Sequence, residues 1–246
     1  EIIKELLEWA AEGVRRVLVV GLEDRGNIAI SLASSGLFVT VVDPDESLIE
    51  YVTGLAEKEN CSIRMNFYAS DYMKREFSSS GFDMAVFFSA LSRYNEPEVV
   101  VKKATRELRA GGKLFARIRV RPSMGLLSRV QSRFSFADRL AGRVVELSRR
   151  VPGVEGYLSI PESKAFLDAV SNVLKVEKKR HEHFIAPGLG WIAAGLPSIV
   201  RAAALKPVDA VARVEAAAMR GPLKDLATYL VIFATKELGL GKAFRV

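Results

Sequence analysis

A strand, a tight turn, a helix and a second strand follow one another in the stretch RRVLVVGLEDRGNIAISLASSGLFVTVVDPD, from Arg15 to Asp45. The continuous apolar runs RVLVVG and FVTVVD are typical of strands that are buried on both faces. Gly21 allows a sharp turn after the first strand, and Gly26 lets the following helix begin close to it. This order predicts parallel strands joined by helices, with any ligand at the carboxyl ends of the strands.

Strand-like and helix-like segments go on alternating through the first half of the chain, which predicts an α/β fold with a doubly wound parallel sheet and helices on both faces. Pro97 lies in the first turn of one predicted helix, which a glycine pair ends. The predicted strands are 16–21, 38–43, 61–69, 82–89, 113–121, 174–186 and 226–238. The predicted helices are 1–13, 27–36, 46–60, 96–112 and 162–173.

The alternation stops after Pro122, where residues 123–160 form an Arg-rich helical segment inserted after strand five. Two interpretations stay open: a helical segment with one solvated face and one apolar core face, or a lid or wall over a substrate pocket, since long connections in compact domains are often functional. With 246 residues, we predict a single domain over 1–246 that contains this insertion.

Composition narrows the classes of protein to which the chain can belong. The single cysteine, Cys61, excludes a disulfide framework and fits a reducing, cytoplasmic compartment. No apolar run is long enough to span a bilayer. The net charge of +7 favours solubility, with nucleic acid, an anionic membrane surface or an anionic substrate as alternatives, but no DNA- or RNA-binding motif is visible. The single glutamine and the many Arg, Glu and Ala residues lean towards a thermophile.

The loop GLEDRG distinguishes two kinds of cofactor. A dinucleotide needs a glycine where Glu23 stands, because the backbone there approaches the pyrophosphate. A carboxylate at that point repels phosphates, whereas S-adenosylmethionine carries an ammonium and a sulfonium that an acid attracts. Glu23 or Asp24 could bind the ammonium, and Asp43 at the end of strand two could accept the ribose hydroxyls. The alternative is that both loop acids only favour the start of the following helix.

The segment GFDMAVFFSALSRYNEPEVVVKKATRELRAGGKLFARIRV, Gly81–Val120, resembles class I S-adenosylmethionine-dependent methyltransferases of the methyltransferase type 11 group. SGLFVTVVDPDESLIE resembles the second motif of that family, with Asp43 as the ribose acid. YASDY resembles the third, in which Asp71 would contact the adenine amino group. The closing HEHF and TYLVIFATKEL resemble the family's antiparallel final strand pair. The resemblance therefore implies a Rossmann-like, seven-stranded, mostly parallel sheet with an antiparallel final strand.

The predicted site follows from these motifs. The chain departs from the family at three places: Val19 replaces the usual acid before the glycine loop, Glu23-Asp24-Arg25 stands after Gly21 where the family has further glycines, and Ser92-Arg93 replaces the His pair after strand four. The predicted cofactor-binding residues are Gly21, Leu22, Glu23, Asp24, Gly26, Asp43, Pro44, Ser70, Asp71, Tyr72 and Ser89. The predicted substrate residues are Arg93, Tyr94, Arg119, Arg121 and Tyr157.

Three hypotheses about function follow. The first is a methyltransferase for a small-molecule or lipid-like acceptor, for which we predict no catalytic side chain, because methyl transfer from a sulfonium mainly needs proximity and in-line geometry. The second is a methyltransferase-like fold with a degenerate loop that acts as a binding or assembly module. The third, suggested only by the basic charge, is an RNA or protein methyltransferase. No metal site is predicted, and a homodimer remains open.

Overall fold

The computed structural model describes residues 2–11, 13–119, 163–182 and 229–237. Its seven strands form one sheet in the order β3-β2-β1-β4-β5-β7-β6. The strands are β1 (Arg16–Val20), β2 (Phe38–Asp43), β3 (Met65–Ala69), β4 (Phe82–Phe88), β5 (Leu108–Arg119), β6 (Lys175–Glu182) and β7 (Tyr229–Thr235). The helices are α1 (Ile2–Ala10), α2 (Asn27–Ser34), α3 (Glu46–Lys58), α4 (Pro97–Glu107) and α5 (Ser163–Ser171).

The strand order reverses between β1 and β4, which is where ligands bind in open α/β sheets. β1 pairs in parallel with β2 on one side and with β4 on the other. The predicted fold class, a mostly parallel seven-stranded sheet with one antiparallel strand, is confirmed. The sheet interior is built from the apolar runs that predicted it, and Val17, Leu18, Val39, Val41 and Val86 are all buried.

Contacts divide the chain into two compact units. The first comprises residues 1–118, 166–179 and 232–246, and the second comprises residues 119–165 and 180–231. Every contact of the candidate site described below lies within the first unit. The single-domain assignment stays a prediction. The predicted insertion 123–160, with Arg121 and Tyr157, lies outside the described residues.

Two predicted boundaries are wrong in an informative way. The helix predicted over 96–112 ends at Glu107, and the next five residues already belong to β5. The pairing of β4 with β5 is irregular there: Phe82 pairs with Leu108, but Met84 pairs with Lys113. The strand predicted to begin at residue 61 begins at Met65, after a 3₁₀ turn over Ser62–Arg64.

Among the described residues, no helix is both long and apolar enough to cross a membrane.

Candidate functional site

A pocket opens at the carboxyl ends of β1, β2 and β4, at the point where the strand order reverses. Its cavity volume is about 120 Å³, which is smaller than the roughly 300–1,000 Å³ of typical small-molecule sites. Its lining residues are Val20, Gly21, Val42, Pro44, Asp71, Tyr72, Ala90, Arg93 and Tyr94. Six of these nine belong to the predicted cofactor or substrate sets.

The loop after β1 needs both of its glycines. Gly21 has a φ of 86° and Gly26 a φ of 79°, in the left-handed region that disfavours side chains. Asp24 fixes the start of α2, because its carboxylate accepts the N–H groups of Gly26 at 3.0 Å and Ile28 at 2.7 Å. Burial raises the pKa of Asp24. Since both of its oxygens accept backbone donors, Asp24 has a structural role at the helix start, and its cofactor role stays a prediction.

Asp43 ends β2 and is fully buried. Its Oδ2 accepts the N–H of Leu22 at 2.8 Å and the Arg93 Nη1 at 3.1 Å. Its Oδ1 accepts the N–H of Asp45 at 2.9 Å. The carboxylate therefore joins the loop after β1, the loop after β2 and the turn after β4.

Glu23 is the second acid that faces Arg93, with 3.0 Å between its Oε1 and the Arg93 Nε. This ion pair does not have hydrogen-bond geometry, and both buried oxygens of Glu23 lack a hydrogen-bond partner among the residues that the structure describes. Burial raises the pKa of Glu23 to about 7, and Arg93 opposes the rise. The carboxylate lies against Gly21: a Cβ at Gly21 would come within 2.4 Å of Glu23 Oε2. Glu23 thus fills space beside the pocket that smaller loop residues would leave open.

Asp71 lies in the pocket wall beyond β3. Its Oδ1 accepts the N–H of Met73 at 2.8 Å and the hydroxyl of Tyr94 at 3.3 Å. Its Oδ2 has no hydrogen-bond partner among the described residues. Burial raises the pKa of Tyr94, so its hydroxyl stays protonated and donates. Asp71 can accept a further donor, such as an amino group, from a ligand.

A buried polar network supports the pocket beneath Tyr72. The Tyr72 hydroxyl donates to Glu107 Oε2 at 2.5 Å, and the Lys103 Nζ donates to Glu107 Oε1 at 2.6 Å. All three side chains are buried. Because buried charges need partners, this network fixes one wall of the pocket to α4. The sequence analysis missed the network, although the i, i+4 spacing of Lys103 and Glu107 was a signal for the pair.

Three further predicted residues, Ser70, Ser89 and Arg119, do not line the pocket. Ser89 adopts a φ of 66°, donates its N–H to the Arg117 carbonyl at 2.8 Å, and accepts the Arg117 Nη1 at 3.3 Å. The Oγ of Ser70 is buried, with no hydrogen-bond partner in the described part of the chain. Arg119 ends β5 and belongs to the second unit.

Sequence reasoning did not predict the apolar walls Val20, Val42 and Ala90. The signal was available, since Val20 ends β1 and Val42 is the penultimate residue of β2, at the edge where ligands bind. It also assigned Arg93 to the substrate, whereas the structure brings Arg93 together with two residues of the predicted cofactor set.

The residues present fit an adenosine-bearing cationic cofactor. Apolar side chains and Asp71 can hold a ring that carries an amino group. The buried carboxylate of Glu23, which makes an ion pair with Arg93 but no hydrogen bond to a described residue, suits a further positive charge, because a cation would offset its burial. No group of His, Cys, Asp and Glu side chains within the described part of the chain could hold a metal ion.

Comparisons with known proteins agree with this geometry. The family model described as "Methyltransferase domain" matches residues 18–116. The ubiquinone biosynthesis O-methyltransferase of Coxiella burnetii is 31% identical over 101 residues, which are 41% of this chain and 42% of that protein. The match therefore spans less than half the length of this curated relative.

Solved structures share the fold at low sequence identity. The cyclase SpnF aligns with a TM-score of 0.65 and 17% identity, over 97% of this chain and 80% of the cyclase. A geranyl diphosphate methyltransferase solved with S-adenosylmethionine gives a TM-score of 0.59 and 13% identity, over 96% of this chain and 84% of that enzyme. The predicted resemblance is confirmed. Residues 18–116 therefore match the model of the methyltransferase-domain family, within a sheet that shares its fold with these solved structures.

Proposed function

We propose that this protein is an S-adenosylmethionine-dependent methyltransferase that transfers a methyl group directly to a small-molecule or lipid-like acceptor. The observation that carries the proposal is the pocket containing Asp71 at the switch point of the sheet, inside the segment that matches the methyltransferase domain. The names of two relatives, for ubiquinone biosynthesis and for geranyl diphosphate, support an acceptor of small organic or isoprenoid character.

In this proposal the side chains of the pocket bind and orient. Val20, Val42 and Pro44 pack against the adenine ring, and Asp71 Oδ2 accepts its amino group. Glu23 attracts the methionine ammonium and so takes the role of the family acid, which is missing at the position of Val19. When bound, S-adenosylmethionine supplies an electrophilic methyl group on a sulfonium. The protein then needs only to align the acceptor and exclude water, and a general base is required only for an acceptor that arrives protonated.

Isothermal titration calorimetry with S-adenosylmethionine and S-adenosylhomocysteine tests the proposal. We expect both to bind, and we expect Asp71→Asn to weaken binding by about tenfold. In this variant an NH₂ donor replaces the Oδ2 acceptor that faces the adenine amino group, so two donors face each other. The matched control is Asp168→Asn, an exposed acid on α5, which should leave binding unchanged. If the wild-type protein gives no heat of binding with either ligand at millimolar concentration, the proposal is wrong.

A second candidate, a non-catalytic module with this fold, is favoured by one observation. The carboxylate of Glu23 covers Gly21, where the family loop has small residues. If the loop has lost its cofactor for this reason, the wild-type protein does not bind S-adenosylmethionine but Glu23→Gly does. Binding by the wild-type protein would exclude this candidate.

A further inference from the structure

We propose that Tyr94 is a positioning residue that makes the pocket prefer a purine with a 6-amino group over one with a 6-oxo group, because it fixes the carboxylate of Asp71. The inference rests on the proposed function, in which Asp71 accepts the adenine amino group of the cofactor. It adds a residue from the turn after β4 that acts through Asp71 and not by a hydrogen bond of its own to the purine.

The backbone of Asp71 is held in place by the short 3₁₀ turn that follows it. Its Oδ1 accepts the N–H of Met73 in that turn at 2.8 Å. Tyr72 anchors the turn, because its hydroxyl donates to Glu107 on α4 at 2.5 Å and its side chain is buried. The Tyr72 ring also packs edge-on against Phe87 of β4, with 5.7 Å between centroids. The main chain at Asp71 therefore has a defined position beside the pocket.

The main chain alone does not determine which way the carboxylate faces. The Cβ–Cγ torsion of an aspartate is broad and roughly two-fold, so a single donor on Oδ1 leaves the plane of the group free to tilt. The Tyr94 hydroxyl supplies a second donor to the same Oδ1, at 3.3 Å. With two donors on Oδ1, the other oxygen of Asp71 is the one that keeps its acceptor sites for a ligand.

Tyr94 is placed in the pocket wall as a donor. It follows the 3₁₀ turn Ala90–Arg93 after β4, and its N–H donates to the Leu91 carbonyl at 3.3 Å. Tyr94 lines the pocket together with Asp71. Burial and the charge of Asp71 raise the pKa of Tyr94, so the hydroxyl keeps its proton at neutral pH. The hydrogen bond therefore runs from Tyr94 to Asp71 and leaves the carboxylate as an acceptor.

An acceptor fixed at this point discriminates between purines by hydrogen-bond chemistry. A 6-amino group donates to Oδ2 of Asp71, whereas a 6-oxo group brings a carbonyl oxygen towards it, so two acceptors face each other. A site built to bind a donor rejects an analogue without it, because the polar group of the site is then left unpaired. A carboxylate that is free to tilt can turn away from the oxo group. The hydroxyl of Tyr94 therefore increases the selectivity.

The test measures the affinities of S-adenosylhomocysteine and its 6-oxo counterpart, S-inosylhomocysteine, by isothermal titration calorimetry in the wild-type protein and in Tyr94→Phe. We expect the wild type to bind the 6-amino compound about tenfold to a hundredfold more tightly, as for a hydrogen bond to a charged group. Tyr94→Phe keeps the ring and loses the hydroxyl, so this preference should fall by about fivefold, mainly through weaker binding of S-adenosylhomocysteine. An unchanged preference in Tyr94→Phe overturns the inference.

A double-mutant cycle shows whether Tyr94 acts through Asp71. In Asp71→Ala the preference should be lost, and adding Tyr94→Phe should then change the ratio of the two affinities by less than about twofold. If the second change still lowers the ratio by about fivefold in that background, Tyr94 bonds the ligand directly and the inference is wrong.

Tyr51→Phe, which removes a hydroxyl from an exposed tyrosine on α3, is the matched control and should leave the preference unchanged. Thermal unfolding of each variant checks its folding, and retained affinity of Tyr94→Phe for S-inosylhomocysteine checks its pocket. If the wild type binds neither compound, the proposed function fails and this inference with it. If the wild type binds the two compounds equally tightly, this inference alone is overturned.

Discussion

At the scale of single residues, the carboxyl group of Glu23 sets the electrostatics of the loop after β1. Its side chain is only 17% exposed. Burial raises its pKa to about 7, Arg93 opposes the rise, and the acids Asp43 and Asp24 add to it. Because this pKa lies near neutrality, the charge of the loop changes within the physiological pH range.

We predict that Glu23 makes the stability of the protein depend on pH. Below pH about 4.5, its unperturbed value, the carboxyl is protonated in both the folded and the unfolded state. As the pH rises to about 7, the unfolded state ionises first, and the folded state loses stability relative to it. In Glu23→Gln this side chain cannot ionise. As the pH rises from about 4.5 to about 7, the free energy of unfolding of this variant should therefore increase relative to that of the wild type, by on the order of 2 kcal/mol.

Urea unfolding at about pH 4.5, 6, 7 and 8 measures this difference in the free energy of unfolding, because these values cover the range between the usual and the raised pKa of Glu23. Glu57→Gln, an exposed acid on α3, is the control and should differ from the wild type by the same small amount at every pH. A constant difference between Glu23→Gln and the wild type would show that the pKa of Glu23 is not raised by folding.

Glu23 and Asp24 show where sequence reasoning at this scale stops. They are adjacent acids with the same chemistry, and their spacing gives no reason to separate them. Asp24 binds the start of α2 within its own loop, which is a local pattern. Glu23 is instead buried against Arg93, seventy positions away, and that partner exists only once β4 lies beside β1.

At the scale of elements, helices α2 and α3 meet where Gly26 precedes α2. A Cβ at Gly26 would lie 2.6 Å from Cγ1 of Val52 on α3, closer than real Cβ atoms come to their neighbours. Gly26 therefore serves the packing of two helices as well as the turn after β1.

We predict that Gly26→Ala destabilises the protein more than Gly36→Ala does. Both glycines have a positive φ, but a Cβ at Gly36 meets nothing within 4 Å. Each alanine costs about 1 kcal/mol in backbone strain, and Gly26→Ala adds about 1–3 kcal/mol of overpacking. Urea unfolding measures both losses. The additional change Val52→Ala should relieve part of the cost at Gly26, and equal losses for the two single variants would contradict this account.

Element types were predictable, and some boundaries were not. The strand predicted over 38–43 is β2 with the same bounds, because a continuous apolar run buried on both faces has one interpretation. The end of α4 was missed because the sequence RELRAGG continues a helical pattern up to its glycines. Pairing with β4 draws Leu108 out of that helix and into β5 instead, and Gly111, with a φ of 73°, lies within the strand.

At the scale of the whole molecule, Trp9 ties the first helix to strands from the far end of the sequence. Its Nε1 donates to Glu177 on β6 at 3.2 Å, and its ring packs edge-on against Phe233 on β7 with 5.1 Å between centroids. Its carbonyl accepts the Lys113 Nζ at 2.6 Å. One residue thus contacts three strands.

We predict that Trp9→Ala lowers the free energy of unfolding by about 2–4 kcal/mol, through lost aromatic packing and a lost hydrogen bond. Trp9→Phe should recover most of the loss, since the ring contact remains. Tyr51→Ala, which removes a 55% exposed aromatic on α3, should cost about 0.5 kcal/mol or less. Urea unfolding followed by circular dichroism measures all three. A cost for Trp9→Ala no larger than that for Tyr51→Ala would show that α1 does not stabilise the sheet.

The architecture could be predicted because alternating strands and helices leave few topologies, and the family motifs selected one of them. The pocket could be predicted only in part, since the pairing of Arg93 with Asp43 depends on side chains from strands that are neighbours in the sheet and distant in sequence. The cytoplasmic location, the thermophilic origin, the homodimer and the RNA alternative stay predictions.

Among the described residues β6 forms one edge of the sheet, and the composition of that edge limits how copies of this protein can associate. An edge strand offers unpaired backbone groups to which another strand can add. β6 reads KVEKKRHE, and Lys175, Lys178 and Lys179 are exposed on it. Exposed lysines on an edge strand discourage continuous pairing between the sheets of two copies. Any self-association is therefore better served by another surface than by extension of the sheet across β6.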